Sequence, residues 1–389
     1  MNIFFQILFW LSVFAIFHSY VLFPFILQIL AKNKKQNLLT YKKGDYLPTV
    51  SIILASYNEE TSIEQKILST FNTNYPIEKI EFLIGSDNSS DKTNSIIEQY
   101  VNKYPQIKFY NFKERQGKIK IINNLKDKAI NEILIFTDTK VFFRKDTIFN
   151  LVKHFKNNEI DLVGGILINS KLNKEGIAVQ EDAYMNREMQ IKYNEGIIWG
   201  CSMGVFGAIY SIRPNKFYSI PNNFKVDDFF ITLKILKENG KVIFTKDAIA
   251  DEKLAGDINE EFKRKIRIST GNFQNLMYFK KMLLNIFSPN SFTFLSHKVL
   301  RWLGPFFIIS IIVSLVFLLK IKIYQFFAIV FLISLVIPLI DYTLSKINYQ
   351  FVIFRYISHF YTMNIALAIG FFKYIKGVEN AIWDPSKRN

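Results

Sequence analysis

Three hydrophobic textures follow one another along the chain. Residues 2–30 form a nearly unbroken apolar run, interrupted by His18. That run is long enough to cross a bilayer core of about 30 Å. Between residues 31 and 290 the apolar residues fall into short runs rich in β-branched side chains, each ending abruptly in a polar cluster. Two of these runs, Thr49–Ala55 and Ile133–Phe136, have the length and composition of strands buried on both faces, and Ile80–Gly85 and the shorter Ile107–Asn111 supply two further strands. Beyond residue 300 long apolar segments return, at Trp302–Leu319, Ile323–Ile340 and Tyr349–Ile375.

In the middle region, strand, polar loop and helix alternate four times, which predicts a parallel α/β sheet with right-handed crossovers. The helices are expected from Thr61 to Phe71, through Tyr100, after Lys118, and later over Val179–Asn194. A further helix opens at Asp228, runs through Glu238 and ends at Asn239-Gly240. Leu162–Asn169 and Lys241–Thr245 supply later strands. Each polar loop lies at the carboxyl end of its strand, where open α/β sheets place their ligands. Asp138, directly after Ile133–Phe136, is therefore a candidate ligand for a divalent metal bridging a diphosphate. A strand-end Asp that merely caps a turn is the alternative.

Composition narrows the picture. Half of the 389 residues are hydrophobic, with 39 Phe unevenly distributed, as in an integral membrane protein with one large aqueous domain. The net charge is +16, but no helix-turn-helix, zinc-finger or aromatic RNA-binding signature accompanies it, so no nucleic-acid partner is expected. Lys32, Lys34, Lys35, Lys42 and Lys43 follow the first apolar run, and the positive-inside rule then puts the large domain in the cytoplasm. A basic balance beside membrane segments also suits anionic membrane lipids and phosphorylated substrates. The first run lacks the start and cleavage site of a secretory signal and is read as a retained anchor in the inner (cytoplasmic) membrane. The single Cys201 fits a reducing compartment and is read as a small buried hydrophobe.

The successive segments VSIILASYNEE, GSDNSSDKT, RQGKIKIINN and IFTDTK resemble the motifs of family-2 glycosyltransferases with the A-type nucleotide-sugar fold. The apolar flanks are similar to those of the membrane-bound, processive polysaccharide synthases of that family: cellulose, hyaluronan and poly-N-acetylglucosamine synthases. The resemblance covers roughly Thr49 to Phe279. It implies that Ala55, Tyr57, Glu59 and Asp87 cradle the nucleoside of a UDP-sugar, and that Lys118 sits near the diphosphate as a point charge. It makes Asp138 the first acid of the metal motif. It makes Asp228, beside Asp227, the general base of an inverting transfer. An N-cap role for Asp228 is the structural alternative. The small residues of 200–208, among them Gly204, Gly207 and Ala208, resemble the segment that contacts donor sugar or acceptor. Arg264 and Arg267 stand where processive members carry Gln-x-x-Arg-Trp. Trp383, Ser386 and Arg388 resemble a gating tail on the cytoplasmic side.

Two departures matter. Lys140 replaces the second acid of the metal motif, and an ammonium cannot ligate a cation. A Mg²⁺ or Mn²⁺ cofactor would then rest on Asp138, diphosphate and water, or Lys140 would partly replace its charge. Ile268 replaces the Trp that would stack an acceptor sugar. The product implied is a surface polysaccharide or its precursor. The alternatives are transfer of one sugar to a polyprenyl-phosphate lipid, or a non-catalytic subunit. The expected organisation is an anchor at 1–31, a cytoplasmic transferase domain at 45–279, interfacial helices at 280–301, two membrane helices within 302–345, a spanning or interfacial helix at 349–375, and a basic tail at 376–389. So few spans leave room for a homodimer or an export partner.

Overall fold

The computed structural model describes residues 2–169, 177–252, 258–347, 349 and 351–378. In chain order the elements are α1 (Asn2–Phe17), a π-helical turn (His18–Leu22), α2 (Phe23–Ala31), β1 (Val50–Ser56), α3 (Ile63–Phe71), β2 (Ile80–Asp87), α4 (Thr93–Lys103), β3 (Ile107–Phe112) and α5 (Lys118–Lys128). Then come β4 (Ile133–Thr137), β5 (Val141–Phe143), α6 (Thr147–Val152), β6 (Ile160–Asn169), α7 (Ile177–Trp199), β7 (Ile209–Ile212), α8 (Asp227–Lys237) and β8 (Lys241–Glu252). The remainder is helical: α9 (Ile258–Phe279), α10 (Pro289–Thr293), a second π segment (Phe294–Val299), α11 (Leu300–Trp302), α12 (Gly304–Leu318), α13 (Lys322–Lys346) and α14 (Val352–Ile375). The tail residues Trp383, Ser386 and Arg388 lie outside the described residues. The chain divides into two compact units, 31–171 with 189–260 and 378–389, and 1–30 with 172–188 and 261–377.

The first unit is an eight-stranded mixed sheet in the order β3-β2-β1-β4-β7-β6-β8-β5. The four strands expected from the alternation are mutually parallel. β1, β2 and β4 are mostly apolar because helices cover both faces: Ile52, Leu54, Phe82, Ile84 and Ile135 are fully buried. β3 is the edge strand of the sheet, and its Lys108 and Asn111 are exposed. Each such side chain contributes about 1.5–3 kcal/mol relative to exposure. β7 extends the sheet antiparallel to β4, pairing Tyr210 with Phe136. The three-residue β5 pairs antiparallel with β8; so short a run gives no periodicity, and the sequence reading passes over it. The first two strands exit through Asn58 and Asn88, both at positive φ (50° and 58°), a conformation that Asn tolerates better than most residues. α8 ends as its residues require, with Asn239 at φ 58°.

The second unit is a helical bundle. Phe5 stacks on Phe317 with ring centroids 4.2 Å apart. Farther along, His18 Nε2 meets Ser296 Oγ at 2.9 Å and Phe23 packs on Phe292. As numbers rise on one side they fall on the other, so 5–23 and 292–317 run antiparallel over the length of the first apolar run. α12 alone is 15 residues, shorter than a span, and it meets Pro289–Trp302 at a 62° bend. Three described helical stretches, Asn2–Ala31, Lys322–Lys346 and Val352–Ile375, are long and apolar enough to cross a membrane, or four if the bent pair is one span.

Two polar residues of the last apolar segment, Arg355 and Asn364, have partners. Arg355 Nε lies 3.2 Å from Asp341 Oδ1, and Asn364 donates to the Phe360 carbonyl at 2.8 Å. A charge within such a segment is tolerable when it faces its counter-ion inside the bundle. Glu188, on the first part of α7, is buried among His297 at 2.9 Å, Arg301 at 3.0 Å and Lys298.

Candidate active site

The polar loops at the strand ends are tied to one another. Asn58 N–H donates to Ser89 Oγ (3.1 Å), and the Asn58 side-chain oxygen accepts from Ser90 N–H (2.9 Å). Glu60 N–H donates to Asp91 (3.0 Å), and Lys92 N–H donates to Glu60 (3.0 Å). The first two loops thus form one rim. Ala55 lies beside Gly85 in the parallel register beneath that rim.

Asp87, at the end of β2, is buried. Its carboxylate accepts from Gln116 N–H (2.6 Å), Gly117 N–H (2.9 Å) and Arg115 Nε (3.2 Å). Arg115 lies over Tyr57, its guanidinium carbon 3.4 Å from the ring centroid. Tyr57, Asp87 and Arg115 therefore meet in one corner. The first two were expected; Arg115 was passed over, although RQGK marks a cationic loop entering a helix.

Gly117, at φ 85°, turns the chain into α5 so that Lys118 is its first residue. Lys118 Nζ sits 2.8 Å from Asp138 Oδ1 and 3.8 Å from Asp227 Oδ2. One lysine thus joins the acid at the end of β4 to the acid pair that opens α8. Burial works against the charge on Lys118, but Asp138, Asp227 and Asp228 outweigh it and hold the ammonium above its ordinary pKa. Lys140 has turned to Glu59, with Nζ–Oε2 at 3.4 Å. The ammonium in the second metal-motif position is thus paired with an acid from the first loop.

Asp227 and Asp228 are the first two residues of α8, after Val226 at the N-cap. Asp228 is therefore inside the helix and not its cap, as one reading of the sequence had it. Its Oδ1 accepts from Phe229 N–H at 2.8 Å. Burial raises its pKa first, and Asp227 adds to this. Lys118, the Phe229 N–H and Lys192 pull the other way, and the balance is a pKa of about 6. Such a carboxylate is ionised at neutral pH yet basic enough to take a proton.

The small-residue segment packs directly on this acid. A Cβ on Gly207 would stand 3.0 Å from Asp228 Oδ2, and one on Gly204 (φ 88°) would stand 2.8 Å from the Phe229 ring. Ala208 is buried next to Gly207. Lys192 and Tyr210 were both missed. Lys192, buried on α7, holds its ammonium 4.0 Å over the Phe206 ring. Tyr210 stacks on Phe136 at 4.8 Å, and burial followed by Asp227, Asp228 and Asp138 drives its pKa up. Neither announces itself in sequence, because a lysine on a polar helix and a tyrosine in a strand both read as ordinary.

Arg264 and Arg267 belong to the helical unit, on α9. Arg264 is engaged by Glu261 through two hydrogen bonds of 2.7 and 2.8 Å. Among the described residues no group of three or more metal-ligating side chains occurs.

Residues 51–217 match the family model described as glycosyl transferase family 2. The chain is 29% identical over 187 residues to a poly-beta-1,6-N-acetyl-D-glucosamine synthase of Staphylococcus epidermidis, covering 46% of this chain and 42% of that protein. It is 25% identical over 147 residues to the GalNAc(5)-diNAcBac-PP-undecaprenol beta-1,3-glucosyltransferase of Campylobacter jejuni, covering 36% of this chain and 47% of that protein. The match thus spans less than half the length of either relative. Among solved structures, the mannosyltransferase PcManGT of Pyrobaculum calidifontis, in complex with GDP-Man and Mn2+, superimposes with a TM-score of 0.72. That superposition covers 95% of this chain and 99% of that one at 18% identity, a likeness of fold. Over residues 51–217 the chain thus matches the family-2 glycosyltransferase model, and its fold is that of an A-type glycosyltransferase.

Proposed function

We propose that this protein transfers a sugar with inversion from a UDP-sugar to a surface polysaccharide or its precursor, at the cytoplasmic face of the inner membrane. The observation that carries this reading is the contact of Lys118 with both Asp138 and Asp227, which joins the diphosphate corner to the base. The acceptor hydroxyl is held against Gly207 and gives its proton to Asp228. Its oxygen then bonds to the anomeric carbon from the face opposite the leaving group. The bond from that carbon to the diphosphate breaks, and its electron pair leaves with the nucleotide, whose developing charge meets Lys118. Arg264 and Arg267 remain candidates for holding diphosphate or acceptor.

A divalent cation fits this corner only as a partner of the substrate. The 43%-exposed Asp138 side chain offers one carboxylate, and Lys140 offers none. One carboxylate with diphosphate and water is a coordination that Mg²⁺ accepts and Mn²⁺ shares. When bound, the cation supplies charge to the leaving diphosphate.

The antiparallel course of 5–23 and 292–317 supports reading the bent pair as one span, which gives four crossings. These would leave the chain after 376 on the face opposite the transferase domain, so a gating role for the tail is not part of this reading. The lysines after α2 favour a cytoplasmic domain. A second reading, transfer of one sugar to a polyprenyl-phosphate lipid, gains from Ile268, which removes a stacking platform for a growing glycan. The lipid-linked acceptor in the name of the Campylobacter relative points the same way.

The test is nucleotide release by detergent-solubilised protein across UDP- and GDP-sugars with Mn²⁺, Mg²⁺ or EDTA, followed by product sizing. One UDP-sugar turned over into a ladder of lengths supports the first reading, and a single lipid-linked sugar supports the second. A GDP-sugar as sole donor overturns the donor assignment. Asp87→Ala is expected to weaken nucleotide affinity about ten- to a hundred-fold, since it removes a charge-assisted anchor of the 115–117 loop. Equilibrium binding of UDP measures this.

A further inference from the structure

α3 carries its buried residues at Ile63, Lys66, Ile67, Thr70 and Phe71, the spacing of a core-facing stripe. Lys66 occupies one of those core positions and is 0% exposed. Its ammonium donates to Thr137 Oγ1 at 2.7 Å and to the Val141 carbonyl at 2.6 Å, and lies 3.6 Å over the Phe143 ring. These neutral partners bracket one turn: Thr137 ends β4, Val141 begins β5, and Asp138, Thr139 and Lys140 lie between. Among the described residues no carboxylate comes within ion-pair range of Lys66. Burial pushes its pKa well down, and Asp138 is the group that pulls it back.

A buried ammonium with only neutral partners opposes folding, and a methionine of similar length would fill the space without that cost. Lys66 is therefore not explained as a contribution to stability. What it does is fasten both ends of the turn that presents Asp138 and Lys140. We propose that Lys66 is a positioning residue for the diphosphate corner: it clamps the 137–141 turn from below and fixes where Asp138 meets the metal-bound diphosphate. This inference rests on the proposed nucleotide-sugar reading. Nothing in the four motifs that carry the family resemblance includes it.

The test uses full-length protein in detergent and follows binding and unfolding together with transfer. For Lys66→Met, the expected result is an unfolding temperature equal to or above that of the wild type. UDP affinity in the presence of Mn²⁺ should fall at least tenfold, while UDP affinity in EDTA, governed by the Asp87 corner, changes by less than threefold. Thr137→Val, which removes one of the two clamping bonds and keeps the lysine, should shift the Mn²⁺-dependent affinity in the same direction by a smaller factor. If Lys66→Met fails to fold, this second variant decides the question alone. A lower unfolding temperature with unchanged Mn²⁺–UDP affinity, or Thr137→Val binding like the wild type, overturns the proposal. Failure of the parent reading looks different: wild-type protein would then bind no UDP under either condition.

Discussion

Asp228→Asn is expected to reduce sugar transfer by roughly 10²–10⁴-fold while nucleotide affinity stays within about twofold, since the variant keeps the shape of the side chain and loses only the base. The same variant should be more resistant to unfolding at pH 7.5. Asp228 has a folded pKa of about 6, against roughly 3.9 for an unfolded aspartate. A raised carboxyl pKa means that the folded state binds the proton more tightly. The associated stability is therefore fully present below pH 4 and is lost as the pH rises through 6. By linkage the cost of ionising Asp228 in place is at most about 3 kcal/mol at neutral pH, and less because the residue is only partly buried. Asparagine avoids that cost. Wild-type kcat should rise through a midpoint near pH 6, and the unfolding-temperature advantage of the variant should vanish below about pH 4. Activity retained in Asp228→Asn would remove the general-base assignment, whereas lost activity with lost nucleotide affinity would point to collapse of the corner.

The parts of the site that sequence revealed are those where chemistry and pattern coincide. β1, β2 and β4 were legible because parallel strands buried on both faces need long apolar runs, and β3, the edge strand, followed from the strand–loop–helix alternation, which put the polar exits at one edge. Asp87, Asp138 and Asp228 were legible because each sits where such a run stops or a helix starts. What could not be read was pairing at a distance. Lys140 looked like a damaged metal motif, and its pairing with Glu59 at 3.4 Å depends on how two loops fold over one rim. Arg355 looked like an awkward charge in a membrane segment because the preceding apolar run was ended at Ile340, one residue short of its partner Asp341. Lys66 was hidden by habit. Lysine on a helix is ordinarily solvated, and only the stripe formed with Ile63, Ile67, Thr70 and Phe71 marks it as inward-facing. In all three cases the partner lies outside the residue's own local segment, which local propensity cannot encode.

Lys118→Met tests whether the two halves of the corner work as one electrostatic unit. Lys118 is the residue that touches both Asp138 and Asp227, and it is a cation that lowers the pKa of Asp228. Removing it leaves burial and Asp227 opposed only by the Phe229 N–H and Lys192 among the named influences. The base must then become harder to ionise. The midpoint of the kcat–pH profile is expected to move upward from about 6 by one unit or more, and transfer at pH 7 should fall about 10²–10³-fold, the usual loss when one donor to a developing anion is removed. Lys118→Arg, which keeps the charge, should lose activity through misplaced geometry but leave the midpoint near 6. A lysine that served only the leaving diphosphate would give a different pattern: Lys118→Met would lower the rate at every pH and leave the midpoint where it was. The pH profile, more than the size of the rate loss, therefore decides whether Lys118 also governs the proton that Asp228 is proposed to accept.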